Sequence, residues 1–436
     1  MKSACLVLGL SMTSVLADWP QWMGEQRDGI YRDGAVAETF PKGGPPVLWR
    51  HPVGGGYAGP AVSGGLVFLQ DRVEDGKQDA SGGKTGIERV WCLEAKSGTV
   101  KWKREWPVSY TIDYGSGPRA TPTVHGGLAY VLGAEGGLRC LKTGDGTSVW
   151  EVELKSQFQC QTPTWGFAAH PVIFRDQVLT LAGGSGSACV ALDRMTGKEQ
   201  WRALSAGQVG YSPPLITPHH GRTDAVVWTG DAIFGIDPNT GKELWKIPWT
   251  IRYGVSIANP RQVGDTVLIS SYWCGSRMLR LQADGSTPET LWQTEVESDK
   301  RTTHLNALMC TPLPRDGHVY GVCSYGQLRC LEWATGVRKW ENLSATTGAE
   351  AVWGTAFLTQ IGQNSERCMI FNERGELILA RLTPEAFRET ARAKIIEPNA
   401  RDVSQRKLVW SHPAYAGGAC FARNDSEIVC VQLPVE

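Results

Sequence analysis

The stretch DPNTGKELWKIPW, from Asp237 to Trp249, holds a Gly four residues ahead of a Trp. The same spacing returns in EAKSGTVKWKREW (94–106), KTGDGTSVWEVEL (142–154), DRMTGKEQWRAL (193–204) and EWATGVRKWENL (332–343). The pairs are Gly98/Trp102, Gly146/Trp150, Gly197/Trp201, Gly241/Trp245 and Gly336/Trp340. A sixth copy, Gly285 to Trp292, carries three extra residues in its turn. With Trp49 ahead of them, these Trp residues stand 44 to 53 residues apart. A unit of that length, rich in Gly and with little helical periodicity, predicts the blades of a β-propeller.

One unit can be read through. ATPTV (120–124) is a strand, and HGG turns. LAYVLG is the second strand, and AEGG turns with Gly available for positive φ. LRCLKT is the third strand, GDGT turns, and SVWEVEL is the fourth. A Pro precedes each first strand, at Pro60, Pro122, Pro171, Pro214, Pro260, Pro312 and Pro413. One more unit must begin at GTAFLTQIG, where Ala356 replaces the Pro, so eight blades are expected. The last unit ends at its third strand, EIVCVQLPVE, while PPVLWRHPV around Trp49 has a fourth strand's Trp and no unit before it. The N-terminal strand is therefore expected to close the ring and remove its open edge. Trp49, Trp102, Trp150, Trp201, Trp245, Trp292 and Trp340 are expected to pack between blades. In the seventh unit, TPEAFRETARAKII predicts a short helix where the Gly-to-Trp turn should be. Trp410 is then either a displaced blade Trp or a residue of the following loop.

Lys+Arg and Asp+Glu both total 44, no basic stripe stands out, and nucleic acid is excluded as a partner. Lys2, the apolar run Ala4–Leu10 and the small residues at Val15 and Ala17 predict a signal peptide over 1–17. The organisation expected is that peptide, a lead segment at 18–44, and one eight-bladed all-β propeller over 45–436. No run of apolar residues reaches the ~18–20 needed to span a bilayer. The protein is expected to be periplasmic or secreted, and a monomer.

Cys92, Cys140, Cys330 and Cys430 share one place in the repeat, where Ala191 stands in another unit. A position that takes Cys or Ala wants a small buried side chain. Cys420 and Cys430 flank RNDSE, and Cys310 and Cys323 flank PRDGH, which leaves free thiols and cross-strand bridges both open.

The repeat resembles the PQQ-type propeller motif, Gly-x-x-x-Trp after a Leu-Asp-like strand end. ALDRMTGKEQW and GIDPNTGKELW are the best matches. The lead DWPQWMGEQRDGIY, with AVWGTAF and RGELILARLTPE, looks like exported PQQ-like propellers. Two branches share the fold, the quinoprotein alcohol dehydrogenases and the propeller lipoprotein of outer-membrane β-barrel assembly. The first implies adjacent cysteines over a quinone and Ca²⁺ held by Glu and Asn oxygens. This chain has no adjacent cysteines, and no carboxylate-rich loop suits calcium. The second implies a lipid-anchor Cys after the apolar run, whereas Cys5 stands at the start of that run and no lipobox is seen. No catalytic residue and no metal ligand carries over.

The loops from fourth to next first strand should gather at one mouth of the ring. They hold Tyr57, Tyr114, Arg119, Trp165, Phe167, Tyr211, Arg252, Tyr253, Asn259, Asn306 and Trp353. Flat rings with Arg and Asn suit a planar or sugar-like ligand; the same rings could simply fill the wide end of the channel. The swollen turn from Asp71 to Arg89 is polar and Gly-rich, and predicts a disordered loop or a mobile lid. His219-His220 reads as a solvated turn on the opposite face. Gly183–Ala188 lacks the following helix of a phosphate loop. The function expected is a ligand-binding or protein-interaction scaffold in the cell envelope. The alternative is a quinoprotein-type oxidoreductase binding pyrroloquinoline quinone, although no motif supports that cofactor.

Overall fold

Eight antiparallel blades make up the computed structural model, which describes residues 18–294, 298–402 and 404–435. The expected signal peptide lies outside the described residues. Blade 2 shows the plan: Thr123–His125, Leu128–Leu132, Gly137–Lys142 and Ser148–Glu153, each antiparallel to the next. Seven first strands begin directly after the marker prolines, from Ala61–Ser63 in blade 1 to Ala414–Ala416 in blade 8. A Pro is tolerated just there, because the strand's first N–H is not needed by the ladder. Blade 7 begins at Ala356–Ile361 without one. Among the described residues the only α-helix is the five-residue Leu154–Phe158, and no helix is long and apolar enough to cross a membrane.

The repeat's two signature residues turn out to meet across blades. A Cβ on Gly98 would stand 2.6 Å from the Trp49 ring, and one on Gly146 2.6 Å from Trp102. Gly197 covers Trp150 in the same way, Gly241 covers Trp201 and Gly336 covers Trp292. Each Gly therefore seats the Trp of the preceding blade, not its own. The Trp49 indole N–H donates to Ala95 O (2.8 Å), Trp102 to Thr143 O (2.8 Å) and Trp150 to Arg194 O (3.0 Å). Each of these carbonyls lies three residues before the covering Gly. Gly285, in the swollen copy, sits instead against the Arg222 guanidinium.

Within its own blade, each Trp is register-paired with a small or flexible residue. The pairs are Trp102 with Cys92, Trp150 with Cys140, Trp201 with Ala191, Trp245 with Gly235, Trp292 with Met278, Trp340 with Cys330 and Trp49 with Cys430. All eleven described cysteines are free thiols. Cys420 pairs with Val431, one register step away from Cys430.

Ring closure follows the expected route. Val47–Pro52 pairs antiparallel with Glu427–Gln432, as the fourth strand of blade 8. The lead segment does more than precede it. Trp19 bridges to Val62 of blade 1, and Ile30–Tyr31 adds a parallel strand beside Gln360–Ile361 of blade 7. The Arg261 guanidinium donates to the carbonyls of Arg27 (2.9 Å) and Asp28 (2.8 Å), and so ties the lead to blade 5.

Three local expectations are corrected. The segment expected as a helix in blade 7 is a strand, Phe387–Lys394, paired along Glu376–Leu382. Its helix-forming residues yield to an unfilled sheet edge, where pairing outweighs propensity. The swollen turn of blade 1 is a long hairpin, Leu66–Gln78 with Lys84–Glu94, rather than a loose loop. Arg72 holds it: the buried guanidinium donates to Lys84 O and Gly115 O and lies 4.1 Å from the Tyr110 ring centroid. His219 is buried beside Asp224, so only His220 of that pair is solvated.

Candidate functional site

The loops from fourth to next first strand meet at one end of the ring and enclose a cavity of about 230 Å³. Their convergence follows from the blade plan: each fourth strand ends at the rim and the chain must return to the axis. Tyr57, Tyr114, Arg119, Trp165, Tyr211 and Trp353 line the cavity. Trp410 lines it too, which settles its place in the loop before blade 8. Tyr57 and Tyr114 lean on Trp410, with ring centroids 6.3 and 5.7 Å away, and Trp165 meets Tyr211 edge-on at 5.7 Å.

The other mouth residues have different places. Phe167 is buried beneath Gly136 in the core between blades. Asn259 donates to Pro213 O (2.8 Å) and Asn306 to Tyr272 O (2.8 Å), both buried as loop braces. Arg252 and Tyr253 stand on the rim, where Tyr253 is exposed and packs edge-on against Trp273 at 5.2 Å.

Four lining residues escape a reading of those loops' aromatic content. Trp273 comes from the turn between second and third strands of blade 5. His170 and His412 each directly precede a marker proline, and that adjacency was the available signal. Trp22 comes from the lead segment and forms the floor. It stacks on His170 (4.8 Å, 18°) and meets His412 edge-on at 5.7 Å. The neighbouring Gln21, Glu25 and Arg27 line a separate, polar hollow of about 870 Å³ on the opposite face.

The polar groups at the cavity are few. The Arg119 guanidinium donates to the carbonyls of Gly117, Asp113 (2.8 Å) and Tyr114 (2.6 Å), and lies 5.2 Å from the Tyr57 centroid. No carboxylate is paired with it among the described residues. The Thr121 N–H donates to His170 Nδ1 (2.8 Å), so the ring proton sits on Nε2. Burial pushes both imidazoles down, His412 to about 3 and His170 well below its ordinary range, and both are neutral at pH 7. Burial raises the Tyr211 phenol to about 12. Trp22 Nε1, Trp410 Nε1 and His412 Nε2 are buried without a protein partner. The rest of the wall is apolar, from Val255, Ile257, Leu308 and Met309. Such a site can bind and orient; its lining holds no Ser, Thr, Cys or Lys and no carboxylate.

Residues 87–279 match the profile of the family described as outer membrane protein assembly factor BamB, a PQQ-type repeat. BamB of Burkholderia pseudomallei (strain K96243) is 25% identical over 244 residues, 53% of this chain and 58% of that protein. A 1-butanol dehydrogenase (quinone) of Thauera butanivorans is 29% identical over 160 residues, 33% of this chain and 25% of that enzyme. The chain thus spans about half, or less, of the length of the curated relatives it matches. BamB from Moraxella catarrhalis superposes with a TM-score of 0.56 at 14% identity, covering 89% of this chain and 97% of that one. A quinohemoprotein alcohol dehydrogenase from Comamonas testosteroni gives 0.59 at 12% identity, covering 96% and 81%. These superpositions speak for the fold alone. Taken together, the described chain closes as an eight-bladed β-propeller, and its residues 87–279 are similar to the PQQ-type repeats of that family.

Proposed function

We propose that the protein is an exported interaction scaffold of the cell envelope that takes hold of its partner or ligand at the propeller mouth. The observation that carries this reading is the cavity, walled by loops all round the ring and floored by Trp22. Concave aromatic sites with a few polar groups are the usual place of binding. The likeness to BamB proteins supports a scaffold over an enzyme. The quinone-dependent alternative is not adopted. The cavity lining holds no carboxylate, and no three His, Cys, Asp or Glu side chains converge among the described residues. These residues do not fit a calcium–quinone pair.

Site-specific photo-cross-linking tests the proposal. A photoreactive residue replaces Tyr253, exposed on the mouth rim, or Val263, exposed on the opposite face. Irradiation of intact cells should join an envelope protein to the Tyr253 position and not to Val263. Cross-links from Val263 alone, equal cross-links from both, or none from either would remove the mouth as the binding face.

A further inference from the structure

The cavity's polar atoms are biased toward donation. Trp22 and Trp410 are at least nine-tenths buried, and each keeps an indole N–H with no protein acceptor. His170 holds its proton on Nε2, because Nδ1 accepts from Thr121. Arg119 is a cation whose hydrogen bonds, among the described residues, go to backbone carbonyls alone. The lining contains no Asp, Glu, Asn, Gln, Ser or Thr. A buried donor left unpaired costs about 1–3 kcal/mol, so an occupant gains most by bringing acceptors. A guanidinium without a carboxylate favours an anion, and charge-assisted hydrogen bonds are about twice as strong as neutral ones. The walls are flat rings, which prefer a flat partner. At about 230 Å³ the space is below the ~300–1,000 Å³ typical of drug-sized pockets.

We infer that the mouth cavity selects a small planar aromatic acid, one or two fused rings bearing a carboxylate, and discriminates against both cationic amines and sugars. A sugar offers many hydroxyl donors, and the wall has no carboxylate or side-chain amide to accept them. An ammonium would sit against Arg119, and the lining offers no carboxylate to receive it. The inference rests on the reading of the mouth as a binding site, and deepens it by naming the ligand's chemistry.

Three probes with one ring system separate the contributions: indole-3-acetate, indole-3-acetamide and tryptamine. Isothermal titration against the native protein should rank acetate at least tenfold tighter than tryptamine, with acetamide between. Arg119→Gln should bring acetate and acetamide to within about twofold of each other. Because Arg119 also braces its loop, Trp410→Phe is the second variant; it keeps the ring, removes one donor, and should weaken acetate several-fold. Tryptamine binding as tightly as acetate, or an acid preference that survives Arg119→Gln in a folded variant, would overturn the inference while leaving the cavity as a site. Failure of all three probes at millimolar concentration would overturn the inference and the small-molecule role of the mouth together, whereas the cross-linking outcome would stand independently.

Discussion

At the scale of single residues, the Gly of each repeat is explained by its neighbour's ring. Gly146 has φ of +71° and would place a Cβ 2.6 Å from Trp102, whose N–H is already committed to Thr143 O. Gly127 has φ of +77° and open space around it. Gly127→Ala should therefore cost only the backbone strain, about 1–2 kcal/mol. Gly146→Ala should cost that and about 1–3 kcal/mol more for the overpacked ring. Urea unfolding of the two variants makes the comparison, and equal losses would mean that the ring does not require the Gly. The motif was legible because both of its members recur at fixed spacing. That the Gly serves the previous blade's Trp was not, since a spacing within one unit carries no information about which copy meets which. The position opposite the Trp was read correctly as small, from the Cys and Ala alternatives.

At the scale of elements, the strand that closes the ring has no blade of its own until the end of the chain arrives. Val47–Pro52 covers the edge of Glu427–Gln432, and Trp49 packs near Phe421, 5.9 Å between centroids. Deleting residues 18–50 removes most of that strand with its Trp, and also the lead tied to blades 1, 5 and 7. Loss of a Trp seat alone costs about 3–5 kcal/mol, against a typical total stability of about 5–15 kcal/mol. The truncated protein should show no cooperative thermal transition by circular dichroism. A melt at the wild-type temperature would reject closure as a stabilising device. Seven fourth strands could be found from the sequence because a Trp marks each. Phe387–Lys394 could not, because FRETARAK lacks the Trp and is built of good helix formers, and only its partner strand decides its state. The long hairpin was missed for a related reason. Its polar, Gly-containing tip looks like a loop until Arg72 is seen bracing Lys84 and Gly115. Of the cavity-lining residues, Tyr57, Tyr114, Arg119, Trp165, Tyr211 and Trp353 could be placed from the returning loops, whereas His170 and His412 of the same loops were missed; Trp22 was missed too, because a lead segment has no repeat to say where it goes.

At the scale of the whole molecule, order comes from closure and packing rather than from cross-links. All eleven described cysteines are free, and only Cys274 among them is not buried. Burial pushes the thiols of Cys92, Cys140, Cys189, Cys310, Cys368 and Cys430 up to about 12, which suppresses the reactive thiolate. Treatment of the native protein with iodoacetamide at pH 8 should modify Cys274 and spare the other ten, while all eleven react in guanidinium. A Cys310–Cys323 bridge in non-reducing peptide maps would contradict the free-thiol state. The lead segment joins the two ends of this architecture, and that has a consequence in time. Trp19, Trp22, Tyr31 and Trp49 are made well before blade 8. Trp19 and Tyr31 pack against Tyr415, Trp22 meets His412, and Trp49 meets Phe421, all of which follow by more than 350 residues. At synthesis rates of ~5–20 residues per second, the opening of the chain waits on the order of tens of seconds for its partners. For that interval the lead is an aromatic-rich segment without its partners, so misassociation there is favoured until blade 8 has been delivered.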